Sequence, residues 1–212
     1  MMTRWMQVDT NMAALLCVAS GIADAIGYVQ AGVFAANMTG NTVLAGVSLA
    51  HADFTTALER GMTFVTFFAG AMLGRLSLRY AGNAWLPLFL EGSILALSTL
   101  LTQPSRAVLW IALAMGLQAT AVTRFKGAAI STIVLTSTLA RLGEAALDFI
   151  ATHKALATAD QNNPTALLAI TWAAYAIGAV LAVLLLQVTS LPLLAASAVV
   201  LALSFSCWHA RR

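Results

Sequence analysis

Asn37, Thr39, Gly40, Asn41 and Thr42 stand almost in a row inside an otherwise apolar stretch. These residue types favour helix starts and turns over the middle of a lipid-facing helix. In hydrocarbon every backbone N–H needs a partner, so a helix break survives there only where protein or a wet cavity covers it. A chain carrying such a break must wrap the rest of its structure around it, and the break is a candidate binding site. A weaker copy follows at Leu135-Thr136-Ser137-Thr138.

Composition makes hydrocarbon the relevant solvent. The chain has 212 residues, of which 60% are hydrophobic and 9% charged, with a mean hydropathy of +0.87. This predicts an all-α integral membrane protein forming a single membrane domain over residues 1–212, in contact with the lipid bilayer. Arg4 precedes a long apolar run with no small-residue cleavage site, which predicts a retained first span. The net charge of +3 comes from loop cations. It orients the chain in a membrane and does not suggest nucleic acid. Cys17 and Cys207 lie within apolar runs and read as buried thiols.

Eight apolar segments follow: A from about Asn11 to Gln30, B from Met38 to Ala50, C from Ala57 to Arg79, D from Ala84 to Leu101, E from Arg106 to Val122, F from Ala128 to Ile150, G from Pro164 to Gln187 and H from Leu191 to Trp208. Spanning takes about 20 apolar residues. B is too short, and F is interrupted by Arg141, Glu144 and Asp148. If all eight cross with the N-terminus inside, Arg4, Arg60, Arg106, Lys154, Arg211 and Arg212 fall inside and Arg75, Arg79, Arg124 and Lys126 outside. If B and F enter and return, only Arg60 and Arg106 fall outside and the others join the inner side. The second arrangement obeys the positive-inside rule better. It predicts six transmembrane helices plus two short re-entrant or broken half-helices, with both termini cytoplasmic.

Segments A–D (residues 11–103) and E–H (residues 104–208) also read as two copies. Gly21 with Gly32 resembles Gly116 with Gly127. Met38-Thr39-Gly40 followed by Gly46 resembles Leu135-Thr136-Ser137 followed by Gly143. Phe67-Phe68-Ala69-Gly70-Ala71 resembles Tyr175-Ala176-Ile177-Gly178-Ala179. The offset grows along the chain because the second copy has a longer loop around Ala159–Asn163. Each copy holds three full spans, so the second runs opposite to the first. Inverted repeats with paired broken helices are the signature of secondary transporters.

The pattern Gly21-Ile22-Ala23-Asp24-Ala25-Ile26-Gly27-Tyr28, Gly32-Val33-Phe34 and Asn37-Met38-Thr39-Gly40-Asn41-Thr42 resembles the first half of the YoaK-like bacterial inner-membrane proteins, a family of unknown function. Gly116-Leu117-Gln118 and Leu135-Thr136-Ser137-Thr138-Leu139-Ala140-Arg141-Leu142-Gly143-Glu144 resemble its second half. The resemblance covers nearly the whole chain and implies a bacterial inner (plasma) membrane location, without a substrate. The chain departs from the family pattern at Ala119, where Asn is frequent, and at Leu135-Thr136-Ser137-Thr138, where Met-Thr-Gly-Thr is frequent.

A helix starting at the first motif leaves free N–H donors at the positive end of its dipole, a ready site for an anion or carboxylate. Asn37, Thr39, Gly40, Asn41 and Thr42 are its candidate substrate-binding residues; a polar turn that only caps its own helix is the alternative. Thr136, Ser137 and Thr138 offer related donors from F, or bond back to their own helix. Arg141 is a candidate for a solute carboxylate or a partner for Asp24 or Glu144. Gln118 on E lines the same cavity or bonds a neighbouring helix.

Asp24 lies about 20 Å along segment A from Asn11, well inside the hydrocarbon. It is a candidate carrier of a coupling proton, with Glu91 and Glu144 as further carriers; a structural pairing of Asp24 with the donors of B or with Arg141 is the alternative. No phosphate loop, nucleophile–base pair or zinc spacing is present in the sequence. Enzyme activity, a cofactor and a metal are therefore not expected. The leading expectation is secondary transport of a small anionic or zwitterionic solute, with protons as the candidate coupling ion. A channel and a non-transport scaffold are the alternatives. A homodimer would supply a fixed frame for so small a chain.

Overall fold

The computed structural model describes residues 10–121, 139–140, 142–144, 146–147 and 164–210, and every regular element among them is helical. The helices are α1 (Thr10–Ala31), α2 (Met38–Ala50), α3 (Phe54–Ala81), α4 (Trp85–Ser98), α5 (Pro104–Ala121), α6 (Pro164–Val188) and α7 (Leu193–His209). Three of them, α1, α3 and α6, are long and apolar enough to cross a bilayer by length and composition. The short residues of segment F that are described are helical, and Leu139 and Leu147 among them are exposed.

Element ends follow from local chemistry. Asn37 caps α2, its Oδ1 accepting from Gly40 N–H at 2.9 Å, so segment B and α2 share the bounds Met38–Ala50. Asp53 caps α3 by accepting from Thr56 N–H at 3.1 Å, which starts this helix three residues before the expected Ala57. Gly82 ends α3 in the left-handed region at φ 75°, where the lack of a Cβ removes the steric penalty. Segment D is shorter than its apolar run: α4 has 14 residues. Thr99, Leu100 and Leu101 N–H turn to the carbonyls three residues back, which tightens and stops the helix before Pro104.

Packing fixes the direction of each helix. On α1 and α5, Val108 packs at Gly27 while Gln118 reaches Leu16 and Ser20, so these two run antiparallel. On α3 and α5, Gly70 meets Leu113 and Gly116 while Gly74 meets Leu117 and Thr120, so these two run parallel. It follows that α3 is antiparallel to α1, with α2 the sole helix between them. α4 and α7 are antiparallel, since Ser204 Oγ donates to Trp85 O and Ser197 Oγ to Gly92 O, both at 2.7 Å. The end of α7 meets the start of α1, with Cys207 Sγ 4.0 Å from Met12 Sδ. Only residues 189–192 separate α6 from α7, so α6 ends where α7 begins, and α1, α3, α4, α5, α6 and α7 alternate in direction through the bundle. α2 returns the chain to the end where α1 finished, and α6 starts at the end where α5 finished.

Two of the helix crossings are built alike. A Cβ at Gly21 would run into the Tyr175 carbonyl and lie 2.9 Å from Ala179 N, and one at Gly178 would run into the Val18 carbonyl, so α1 and α6 touch backbone to backbone. A Cβ at Gly116 would run into the Phe67 carbonyl and lie 2.8 Å from Ala71 N, and one at Gly70 would run into the Leu113 carbonyl. Without a hydrophobic drive between helices in lipid, close backbone approach at small residues supplies the packing energy.

Candidate functional site

The break between α1 and α2 turns the chain back into the bundle. Gly32, at φ 65°, ends α1 with its N–H on Tyr28 O at 2.9 Å. The next residues run back beside the last turns of α1. Val33 lies against Gly27, the Phe34 ring stacks on Tyr28 with centroids 4.7 Å apart, and Ala36 arrives at Asp24. From Asp24 to Ala31 is about 10 Å along the helix, so α2 begins that far inside the end of α1.

Asp24 fills the break. Its side chain is 3% exposed. Oδ1 accepts from Ala36 N–H at 2.5 Å and Asn37 N–H at 3.3 Å, and Oδ2 accepts from the Tyr175 hydroxyl of α6 at 2.5 Å. Successive backbone N–H groups converging on one anion form a nest, and the nest here holds the protein's own carboxylate. Tyr175 is a site residue that the sequence reading used only as a marker of the repeat. Its signal is weak, being one aromatic hydroxyl in an apolar helix a turn before Gly178.

The other residues of the first motif divide by depth. Asn41 is fully buried and its amide is spent within the fold. Its Oδ1 accepts from Phe34 N–H at 2.9 Å, and its Nδ2 donates to Phe34 O at 2.7 Å and Thr63 Oγ1 at 3.1 Å. Thr63 Oγ1 in turn donates to Arg60 O at 2.6 Å. Asn37 and Thr39 are exposed. Thr42 is exposed as well and bonds back to Met38 O at 2.9 Å. A Cβ at Gly40 would lie 3.0 Å from both Asn37 Nδ2 and the Phe34 ring, so this glycine lets the cap and the aromatic ring close over the helix start.

Gln118 is fully buried and clamps α5 to α1 through Leu16 O at 3.2 Å and Ser20 Oγ at 2.6 Å. Glu91 is fully buried on α4, and neither of its carboxyl oxygens has a hydrogen-bond partner among the described residues. A buried polar group left in that state has functional interest, since most such groups are satisfied. Glu144 is exposed on a helical stretch. Thr136, Ser137, Thr138 and Arg141 lie outside the described residues. The structure therefore brings Asp24, Asn37, Gly40 and Asn41 into one constellation with Tyr175, with Gln118 of α5 bonded to Ser20 one turn before Asp24 and Glu91 buried on α4.

The model of a family described as a protein of unknown function (DUF1275) matches residues 12–207. The UPF0700 transmembrane protein YoaK of Bacillus subtilis (strain 168) is 34% identical over 147 residues, which cover 63% of this chain and 65% of that relative. The matched stretch thus spans a little under two thirds of the relative's length. No solved structure matches the chain.

Proposed function

We propose that this chain, which belongs to the DUF1275 family of proteins of unknown function, is a secondary transporter of a small anionic or zwitterionic solute, coupled to protons. The chain is a transmembrane protein; its activity is our reading. The observation that carries it is the seat of Asp24: one carboxylate joins the backbone of a helix break to Tyr175 on α6. The break is thereby an occupied anion nest. A solute carboxylate has the same shape and charge as the one seated there, and it binds by taking that place when Asp24 is protonated or turns away. Exchange between an internal and an external carboxylate couples solute movement to the state of Asp24.

Two further features support the reading. The α1–α6 and α3–α5 crossings match residue by residue: Gly21, Val18, Tyr175, Gly178 and Ala179 take the places of Gly116, Leu113, Phe67, Gly70 and Ala71. This favours two inverted halves, the architecture in which one half rocks against the other around a central site. The alternation of helix directions favours six spans, with α2 re-entrant. In this reading both termini are cytoplasmic, the membrane is the bacterial inner membrane, and a second copy of the chain supplies a fixed frame. Glu91, buried and unpartnered among the described residues, is a second proton carrier.

The test is transport by purified protein in liposomes. A transporter shows saturable uptake and counterflow of labelled solute. A channel shows flux without counterflow. A scaffold shows neither and copurifies with a stable partner. Screening small organic acids and amino acids by thermal stabilisation first identifies what to load, since a ligand that binds only the folded state raises its apparent stability.

A further inference from the structure

We infer that the mouth of the α1 break is a recognition subsite for a zwitterion, with Arg106 taking its carboxylate and Glu59 its ammonium group. The inference rests on the transport reading and narrows its solute class. At the end of the bundle where α1 finishes there is a cavity of about 200 Å³, with Ala31, Val33, Glu59, Met62, Arg106 and Val108 in its lining. That is room for one small solute. The cavity draws on α1, α3, α5 and the chain running back toward Asp24. Its floor is apolar. A Cβ at Gly27 would lie 2.9 Å from Val33 O and 3.1 Å from the Val108 side chain, so both floor residues rest on Gly27. Gly27 is about 5 Å along α1 from Asp24, so the residues it supports stand about one helical turn from the nest.

The charged groups at this end are unequally committed. Asp53 is spent on Thr56 N–H. Arg60 donates to Leu44 O and Ser48 Oγ, each at 2.5 Å, and so ties α3 to α2. Glu59 and Arg106 line the same cavity from α3 and α5, both exposed, and neither forms an ion pair among the described residues. Two opposite charges lining one small cavity without pairing suit a ligand that carries both complements. The planar guanidinium takes a carboxylate with two parallel hydrogen bonds. A simple anion would meet the Glu59 charge without compensation, and a simple cation would meet Arg106, so the pair also selects against both.

The experiment uses the purified full chain and a panel of small amino acids and betaines, with acetate and methylammonium as singly charged controls. The expected result is that at least one zwitterion raises the unfolding temperature while both controls do not. Glu59→Gln and Arg106→Gln should each weaken its Kd tenfold or more, about 1.4 kcal/mol. Glu59→Arg combined with Arg106→Glu should restore binding, because a zwitterion fits the reversed pair end for end. Both side chains are exposed, so the variants should fold. The inference is overturned if no zwitterion stabilises the chain, if acetate does so equally, or if the double glutamine variant binds as the parent does. Zwitterion binding without counterflow removes the transport reading and keeps the subsite. Counterflow unchanged in the double glutamine variant removes the subsite and keeps transport.

Discussion

The Tyr175 hydroxyl donates a 2.5 Å hydrogen bond to Asp24 Oδ2 across 151 residues of sequence. It ties the break in α1 to α6, and at the equivalent place in the α3–α5 crossing stand Phe67 and Ala119, which make no such bond. One crossing is therefore latched by a polar pair at the place where the other has an apolar one. In a molecule whose halves move, the latched crossing is the one whose closure depends on the state of a carboxylate. Tyr175→Phe should lower stability by about 1–2 kcal/mol, the range of a side-chain hydrogen bond between membrane helices. In an Asp24→Asn background the same change should cost less, because the carboxylate it served is gone; a double-mutant cycle measures that difference. For transport, Asp24→Asn should abolish proton-driven accumulation and keep solute exchange. Accumulation with unchanged pH dependence in a folded Asp24→Asn protein would make Asp24 structural and turn attention to Glu91.

Asn41 closes the loop before α2 on itself. Its amide meets both Phe34 backbone groups and also reaches Thr63 on α3. Asn41→Ala leaves Phe34 N–H and C=O without those partners in a part-buried setting. The expected loss is about 2–3 kcal/mol, from the cost of leaving buried polar groups unsatisfied. Asn41→Asp keeps the acceptor and removes the donor, so it should fall between the parent and the alanine variant. Unfolding in mixed detergent by denaturant or heat would rank the three, and equal stability of all three would contradict this account.

The two halves of the site were unequally legible in the sequence. The bounds of α2 follow from Asn37 and the density of polar residues after it, because capping is a local interaction. The burial of Asp24 also followed, since its depth is a matter of counting residues along a helix. Its partner did not. Tyr175 is distant in sequence, and an apolar helix gives no rule for which face a lone hydroxyl presents. A pairing of Asp24 with donors at the start of B stood as the alternative to a carrier role, and the chain folds back far enough for the Ala36 and Asn37 N–H groups, just before α2, to reach it. Segment D was read as longer than α4 because apolar composition continues through Leu100 and Leu101, while the backbone tightens at Thr99. The glycines were read as matching positions between halves, and their crosswise contacts needed the packing.

Those crosswise contacts separate glycines that differ only in surroundings. Alanine at Gly21, Gly178, Gly70 or Gly116 puts a methyl group against a neighbouring backbone carbonyl that cannot swing aside. Each should cost about 1–3 kcal/mol or more, the usual penalty of overpacking. Gly46 on α2 is the contrast, with nothing within 4 Å of an added Cβ. Gly46→Ala should be neutral or stabilise by up to about 1 kcal/mol through helix propensity. A Gly21→Ala protein as stable as a Gly46→Ala protein would mean that α1 and α6 do not meet as described.

The last prediction concerns which side of the membrane follows α2. α3 is antiparallel to α1 because both are measured against α5: Val108 at Gly27 and Gln118 at Leu16 set one direction, and Gly70 at Leu113 and Gly74 at Leu117 set the other. A full crossing by α2 would make α1 and α3 parallel. Residues 51–55 should therefore lie on the same side as the end of α1, opposite to both termini. Cys17 and Cys207 are buried, and replacing both with alanine gives a background free of thiols. Asp53→Cys and Thr55→Cys placed in it should react with a membrane-impermeant maleimide from the periplasmic side of intact cells. Thr55 is exposed and is not the cap of α3, so its variant controls for any fraying that loss of Asp53 causes. A tag after residue 212 should be reached only after the cells are opened. Labelling of both cysteines solely from the cytoplasmic side would show that α2 crosses the membrane, and the six-span reading with its re-entrant break would fall with it.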